Sequence, residues 1–339
     1  MSEPFLPLPE AFIKRLQQIV PPQQLASVLE SFYQIKPTSF RINTLKSDPE
    51  QVKQQLQDEG FDLQPVAWFN QAFTIPNEQR RALTESNAFY QGEIYIQSLS
   101  SMLAPIELAP QPGETVLDLA AAPGGKTLQM ACMMNNQGAL SAVEPVKSRF
   151  FKLKANLEQQ GASMVKTYLT DGRTVGGKCP ERFDRVLLDA PCSSESRFSQ
   201  LTPKSWSHWS LKKVKEVAKK QKKLLLSALY SLKPRGIMLY STCSFSPEEN
   251  EAIVNHILKK FGEAVILEPL QLSINRLQVP ANNLQAHSST SIPLEIQPGL
   301  TEWNQKSLHP ELANSTRVLP NKVMDGFYLC KLKKIASFF

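Results

Sequence analysis

Two cysteines stand in short motifs about fifty residues apart, each after a hydrophobic run. Cys192 lies in Leu188-Asp189-Ala190-Pro191-Cys192-Ser193-Ser194, and Cys243 in Tyr240-Ser241-Thr242-Cys243-Ser244. A thiolate is a strong nucleophile once its pKa is lowered, and two thiols can serve one addition and one elimination at a pyrimidine ring. Upstream of both runs Asp118-Leu119-Ala120-Ala121-Ala122-Pro123-Gly124-Gly125-Lys126-Thr127. Its paired glycines would let backbone approach a nucleotide-like ligand closely. The G-x-x-x-x-G-K-[ST] and G-x-G-x-x-G spacings are both absent. No phosphate cradle is implied, which favours a cofactor without a pyrophosphate, such as S-adenosylmethionine. A tight strand-to-helix turn with no ligand is the plainer reading of the same residues.

Two carboxylates follow at spaced strand ends. Glu144, 26 positions after Asp118, can accept two hydrogen bonds from ribose hydroxyls. Asp171 could accept one from an adenine amino group. Singly, each is an ordinary solvated carboxylate; their succession favours the functional reading. Asp189 shares its strand end with Cys192. Pro191 fixes its own φ and biases Ala190 towards an extended backbone, so both side chains can be aimed at one cleft. A free cysteine is more often a buried small hydrophobe, which accounts for Cys132 and Cys330, while Cys179 reads as a surface-loop residue. His208, His256, His287 and His309 are far apart and no C-x-x-C or H-x-x-x-H occurs, so no metal is expected. Absence of a G-x-S-x-G elbow argues against a serine hydrolase.

These residues need a scaffold that brings strand ends together. Thr115–Asp118, a buried run, and Ala139–Val143, Val165–Thr170, Asp184–Asp189 and Gly236–Tyr240 read as strands. Helices are expected at Thr127–Met134, up to about Gln160, at Leu211–Leu232 and at Glu248–Phe261. In the third of these, Leu211, Val214, Val217, Ala218, Gln221, Leu224, Leu225 and Ala228 fall on one stripe. Lys212, Lys213, Lys215, Lys219, Lys220, Lys222 and Lys223 make its other side strongly basic, either a solvated face or one that contacts phosphates. The alternation implies a mostly parallel sheet with helices on both faces. Before it, helices from Phe12 and over Gln24–Phe32, a strand at Thr38–Asn43, a helix from Asp48 closed by Gly60, and two short strands in Phe61–Ile75 compose a small α+β unit. The expected division is 1–95 and 96–339. Residues 270–318 carry no sustained period, and Gly326–Leu332 reads as a final strand.

The bulk properties set outer limits. The 339 residues, 42% hydrophobic and 20% charged, can bury a sizeable core. A net charge of +7 and a pI near 9.1 permit a polyanionic partner. No secretory leader or membrane-spanning run is visible. Five scattered cysteines argue against a disulfide framework and fit a reducing cytoplasm.

The motifs resemble the Nop/Sun (RsmB/RsmF-type) family of RNA cytosine 5-methyltransferases. The likeness runs from Phe40-Arg41-Ile42-Asn43-Thr44-Leu45, through Gln97–Met102, Asp118–Thr127, Asp189–Ser194 and Ser241–Ser244 with Pro247-Glu248-Glu249-Asn250, to Asp325-Gly326-Phe327-Tyr328. It implies a Rossmann-like S-adenosylmethionine-dependent domain preceded by a small RNA-recognition-like α+β domain. It further implies Cys243 as the nucleophile at cytosine carbon 6 and Cys192 as the residue that completes the reaction, with Asp189 and Lys126 holding the base. Ala120, Ala121, Ala122, Pro123, Gly124, Gly125, Lys126, Glu144, Arg149, Asp171, Gly172 and Asp189 correspond to cofactor contacts. Ribosomal RNA is the expected partner, transfer RNA an alternative, and a monomer the expected state. Two residues depart from the family pattern. Ser196 stands where a glycine usually follows Glu195, which bears on the loop beside Cys192. Arg235 replaces the first glycine of a Lys-Pro-Gly-Gly turn, a change expected to matter little while Gly236 remains. Two other functions fit parts of the pattern: a DNA-type enzyme attacking through Cys192, and a non-catalytic RNA-binding or ribosome-assembly factor on the same scaffold.

Overall fold

The computed structural model describes residues 7–272 and 294–339. Helix Glu10–Ile19 buries Phe12, Leu16 and Ile19 on one stripe, and Pro22 opens Pro22–Ser31. Asp48 caps Pro49–Asp58, accepting from the backbone N–H of Glu50 at 3.0 Å and of Gln51 at 3.2 Å. Gly60, at φ +87°, turns the chain out of that helix. An antiparallel sheet follows, in the order Gln64–Pro65, Ala72–Ile75, Thr38–Ile42, Ile94–Ile96. Phe40, Ile42, Val52, Leu56, Phe73 and Ile75 make its core.

The first two helices belong to a different core. Phe12, Leu16, Val28 and Phe32 pack with Phe198, Phe245 and Leu319. Phe12 meets the edges of Phe198 and Trp209 at centroid distances of 4.9 and 5.9 Å. Phe198 and Phe245 lie just downstream of Cys192 and Cys243, so these helices brace the two segments that carry the thiols.

The large sheet contains nine strands among the described residues. Val165–Tyr168, Ala139–Val143, Thr115–Asp118, Phe183–Asp189 and Leu232–Thr242 lie side by side in parallel. Chain order reverses between Thr115–Asp118 and Phe183–Asp189. A crevice opens at such a point because successive connections leave on opposite faces. The expected parallel character ends at Leu232–Thr242. Phe327–Lys334 runs antiparallel to it, and Thr316–Val318, Ile296–Pro298 and Val265–Glu268 extend that side, also antiparallel.

Period-two alternation feeds two cores. Val116, Leu187 and Leu239 join Leu103, Leu128 and Leu153 on one face; Leu117, Val186, Leu188, Met238 and Tyr240 join Leu225, Leu229 and Ile257 on the other. The second face is covered by helices Leu211–Ser231 and Glu251–Phe261. Within Leu211–Ser231, Val214, Gln221, Leu224, Leu225 and Ala228 are buried as the stripe requires, whereas Leu211, in the first turn, is 41% exposed.

Three further expectations change. Cys179 is half-buried against the core with Val175 rather than free in a surface loop. Arg235 holds φ +66°, a left-handed backbone that costs an L-residue roughly 1 kcal/mol over glycine, so the missing glycine does matter locally. Within 270–318, the edge strand Ile296–Pro298 and its neighbour Thr316–Val318 give regular structure to a stretch read as irregular; 273–293, with His287, lie outside the described residues. Among the described residues, no helix is long and apolar enough to cross a membrane.

Candidate active site

A cavity of about 620 Å³ opens at the carboxyl ends of the parallel strands, at the reversal of strand order. Ala120, Ala121, Ala122, Pro123, Gly125, Lys126, Glu144, Arg149, Asp171, Gly172, Asp189, Cys192 and Cys243 all line it. Gly124 does not; it shapes the turn from behind. At φ +113° it caps helix Gly125–Met133, and a Cβ there would lie 3.0 Å from Leu153 Cδ1.

The carboxylates divide the cavity into regions of different character. Glu144 is 1% exposed, accepts from the Val146 N–H at 2.9 Å and faces Arg149 Nη1 at 3.5 Å. Arg149 in turn donates to the Ala122 carbonyl at 2.8 Å, tying the strand end to the glycine loop. Asp171 is more exposed; Arg173 grips both its oxygens and holds its carboxyl below the usual range. A Cβ on Gly172 would meet the Leu119 carbonyl at 2.9 Å, so only glycine lets the third strand end close on the loop. Asp118, at the bottom, accepts from Thr127 Oγ1 at 2.6 Å, while its Oδ1 is buried with no hydrogen-bond partner among the described residues. Burial raises its carboxyl to about 6 despite that bond.

The two thiols meet at the other end. Cys192 Sγ lies 3.1 Å from Cys243 Sγ. Neighbouring parallel strands bring them together: Leu188 pairs with Tyr240 and Asp189 with Ser241. Cys243 also reaches Ser194 Oγ at 3.7 Å. The shared contact pushes the Cys192 thiol well up, burial adding to it. The same contact lowers Cys243 against its burial, with Arg197 and Ser194 assisting. The pair is thus asymmetric: the shared contact favours the proton on Cys192 and the charge on Cys243. Beside them Lys126 Nζ bonds Asp189 Oδ2 at 2.7 Å and Ser101 Oγ at 2.6 Å, and Asp189 Oδ1 accepts from Ser241 Oγ at 2.9 Å.

Sequence reasoning passed over what holds the two cysteine segments in register. Glu249 is fully buried and accepts from the Ser193 N–H, Ser244 Oγ and Gln221 Nε2, each at 2.9 Å, and from Ser193 Oγ. Glu195 accepts from the N–H groups of Phe245 and Ser246 at 2.8 Å, from their neighbouring serine hydroxyls and from Trp209 Nε1. Each carboxylate bridges segments some fifty residues apart. Their only signal in the sequence was membership of quoted motifs. The departure at Ser196 is absorbed: its N–H donates to the Cys243 carbonyl at 3.1 Å, and Ser194, at φ +58°, takes the left-handed backbone. The Ser196 hydroxyl is buried without a partner among the described residues. The described residues hold no group of three or more His, Cys, Asp or Glu suited to a metal ion.

Two family descriptions match the chain: 16S rRNA methyltransferase RsmB/F over residues 105–333, and the N-terminal domain of 16S rRNA methyltransferase RsmF over 8–99. The ribosomal RNA small subunit methyltransferase F of Vibrio atlanticus (strain LGP32) is 39% identical over 334 residues, 97% of this chain and 64% of that protein. That of Aliivibrio fischeri (strain MJ11) is 39% identical over 268 residues, 78% of this chain and 56% of that protein. The chain thus spans less than two thirds of the length of these relatives. A solved methyltransferase homologue from Pyrococcus horikoshii shares 29% identity at a TM-score of 0.76, covering 96% of this chain and all of that one. NSun6 from the same organism, solved with SFG, shares the fold at a TM-score of 0.76 and 20% identity, covering 97% of this chain and 99% of its own.

Proposed function

Because this chain belongs to the RsmB/F family of 16S rRNA methyltransferases, we propose that it methylates carbon 5 of a cytosine in RNA, with small-subunit ribosomal RNA as the substrate. The family depends on S-adenosylmethionine. The cavity fits that group: a buried Glu144 for paired hydroxyls, a turn without a phosphate cradle, and a volume in the range of small-molecule sites. Ala120–Lys126, Glu144, Arg149, Asp171, Gly172 and Asp189 would hold it. When bound, it supplies an electrophilic methyl group.

The observation that carries the reading is the 3.1 Å contact between Cys192 and Cys243 in that same cavity. Cytosine carbon 5 is a poor nucleophile until carbon 6 is attacked. Addition of the Cys243 sulfur to carbon 6 pushes electron density onto carbon 5, the task of an activated nucleophile. Lys126 and Asp189 offer a fixed donor and acceptor to the polar edge of the base. With a methyl group in place on carbon 5, a base would take the carbon 5 proton, the C–H electrons would restore the C5–C6 double bond, and the C–S bond would break to return the Cys243 thiolate. Cys192, one sulfur contact away, takes part in that elimination.

The test is a denaturing gel of Cys243→Ala and Cys192→Ala, each incubated with small-subunit ribosomal RNA and S-adenosylmethionine. Cys243→Ala is expected to lose both methylation and the slow-migrating protein–RNA band. Cys192→Ala is expected to accumulate that band without turnover. A band for Cys243→Ala alone would reverse the roles to the DNA-type order. No band for either, with an active wild type, would remove the two-thiol mechanism.

A further inference from the structure

Arg197 closes the short turn Glu195–Arg197, one residue beyond Ser196, whose N–H donates to the Cys243 carbonyl. Buried Glu195 anchors the turn to the backbone of Phe245 and Ser246. The segment bearing Arg197 is thus bonded to the Cys243 carbonyl and to the backbone of Phe245 and Ser246, and Arg197 lines the cavity with both thiols. Most cations around that cavity are engaged: Lys126 with Asp189, Arg149 with Glu144, Arg173 with Asp171. Among the described residues the Arg197 guanidinium and Lys220 have no hydrogen-bond or ion-pair partner. Lys220 sits on helix Leu211–Ser231; Arg197 sits on the segment bonded to Cys243.

We propose that Arg197 is a positioning residue whose free guanidinium holds Cys243, rather than Cys192, as the thiolate of the pair. The inference rests on the reading of Cys243 as nucleophile. Where two sulfurs 3.1 Å apart share one proton, a cation carried on the segment bonded to one of them favours that sulfur as the thiolate. The other charged or titratable groups set against the pair are Asp189 on the strand end before Cys192, Glu249 beyond Cys243, Tyr240 on the strand before Cys243 and Lys126 on helix Gly125–Met133, while Asp325, paired with Lys36, faces Arg197. The carboxylates oppose a thiolate, and Lys126 is neutralised by Asp189. Arg197 offsets them, and the lowered Cys243 thiol accords with this.

The experiment needs neither RNA nor cofactor, so its result stands apart from that of the cytosine chemistry. Intact protein is alkylated with iodoacetamide between pH 5 and 10, and each cysteine is followed by mass spectrometry, with Cys179 as internal control. Wild type is expected to react first at Cys243. Arg197→Gln is expected to move the Cys243 curve to higher pH and slow its alkylation at pH 7 by roughly threefold to tenfold, the smaller thiolate fraction being partly offset by higher nucleophilicity. Arg197→Lys is expected to recover most of that loss, which a structural role would not require. Thermal unfolding of each variant checks that the fold is intact. Superimposable Cys243 curves for wild type and Arg197→Gln, or faster reaction at Cys192 in wild type, would overturn the proposal.

Discussion

Glu249 takes four hydrogen bonds, from both cysteine segments and from helix Leu211–Ser231, yet its carboxyl is raised to about 7. Burial is the largest cause, and the charge of Glu195 adds to it. In the unfolded chain the same group titrates near 4.5. Between these values the folded protein binds more protons than the unfolded one, so its contribution is present below about pH 4.5 and is lost as pH rises through 7. Glu249→Gln keeps an acceptor for the Ser193 N–H and Gln221, and the Ser193 and Ser244 hydroxyls can turn to accept from its amide. Wild type should therefore lose stability relative to Glu249→Gln across that window, by up to about 3 kcal/mol. Urea unfolding at pH 4.5, 6 and 8 measures it; parallel pH curves for the two proteins would show that Glu249 does not titrate there.

Helix Leu211–Ser231 joins the site to the outer surface. Gln221 donates to Glu249 and to the Pro191 carbonyl, both at 2.9 Å, while Val217, Lys220 and Leu224 line the cavity. Lys212, Lys219 and Lys223 are exposed on the same helix. Such a helix can lead a polyanion to the cavity mouth. Replacing these three lysines by glutamine is expected to weaken RNA binding and to flatten the salt dependence of log K by roughly 0.7 per lost phosphate contact, the single-strand value. Binding measured between 50 and 300 mM salt decides this: an unchanged slope would leave the lysines as a solvated face. Helix and central strands were legible in the sequence because their apolar periods run long. The three-residue strands at Ile296 and Thr316 were not, since so short a segment carries no period.

Across the whole molecule, Arg41 connects the two sheets. It is 1% exposed on Thr38–Ile42 and donates to Gln97 Oε1 at 3.0 Å and to the Gly125 carbonyl at 3.3 Å, on the helix that follows the glycine loop. Its guanidinium also lies 5.6 Å from the Tyr95 ring centroid. Next to it Asn43 donates to the Gly92 and Gln160 carbonyls at 2.8 Å. Arg41→Ala leaves Gln97 Oε1 buried without its donor and opens a void between the sheets. We expect a loss of roughly 2–4 kcal/mol in urea unfolding. A loss within 0.5 kcal/mol, the range of a surface substitution, would show that the contact between the sheets contributes little.

Local geometry was readable from the chain alone. A glycine pair after an apolar run, carboxylates at strand ends and a proline before Cys192 act through their own backbone and nearest neighbours. What the tertiary structure decided is which distant groups meet. The 3.1 Å sulfur contact depends on the register of Phe183–Asp189 against Leu232–Thr242. The roles of Glu195 and Glu249 depend on partners about fifty residues away, and the place of the first two helices depends on Phe198 and Phe245. A carboxylate reads the same in a sequence whether solvated or buried. Only packing removes the water, and with it the freedom of that group to be charged without cost.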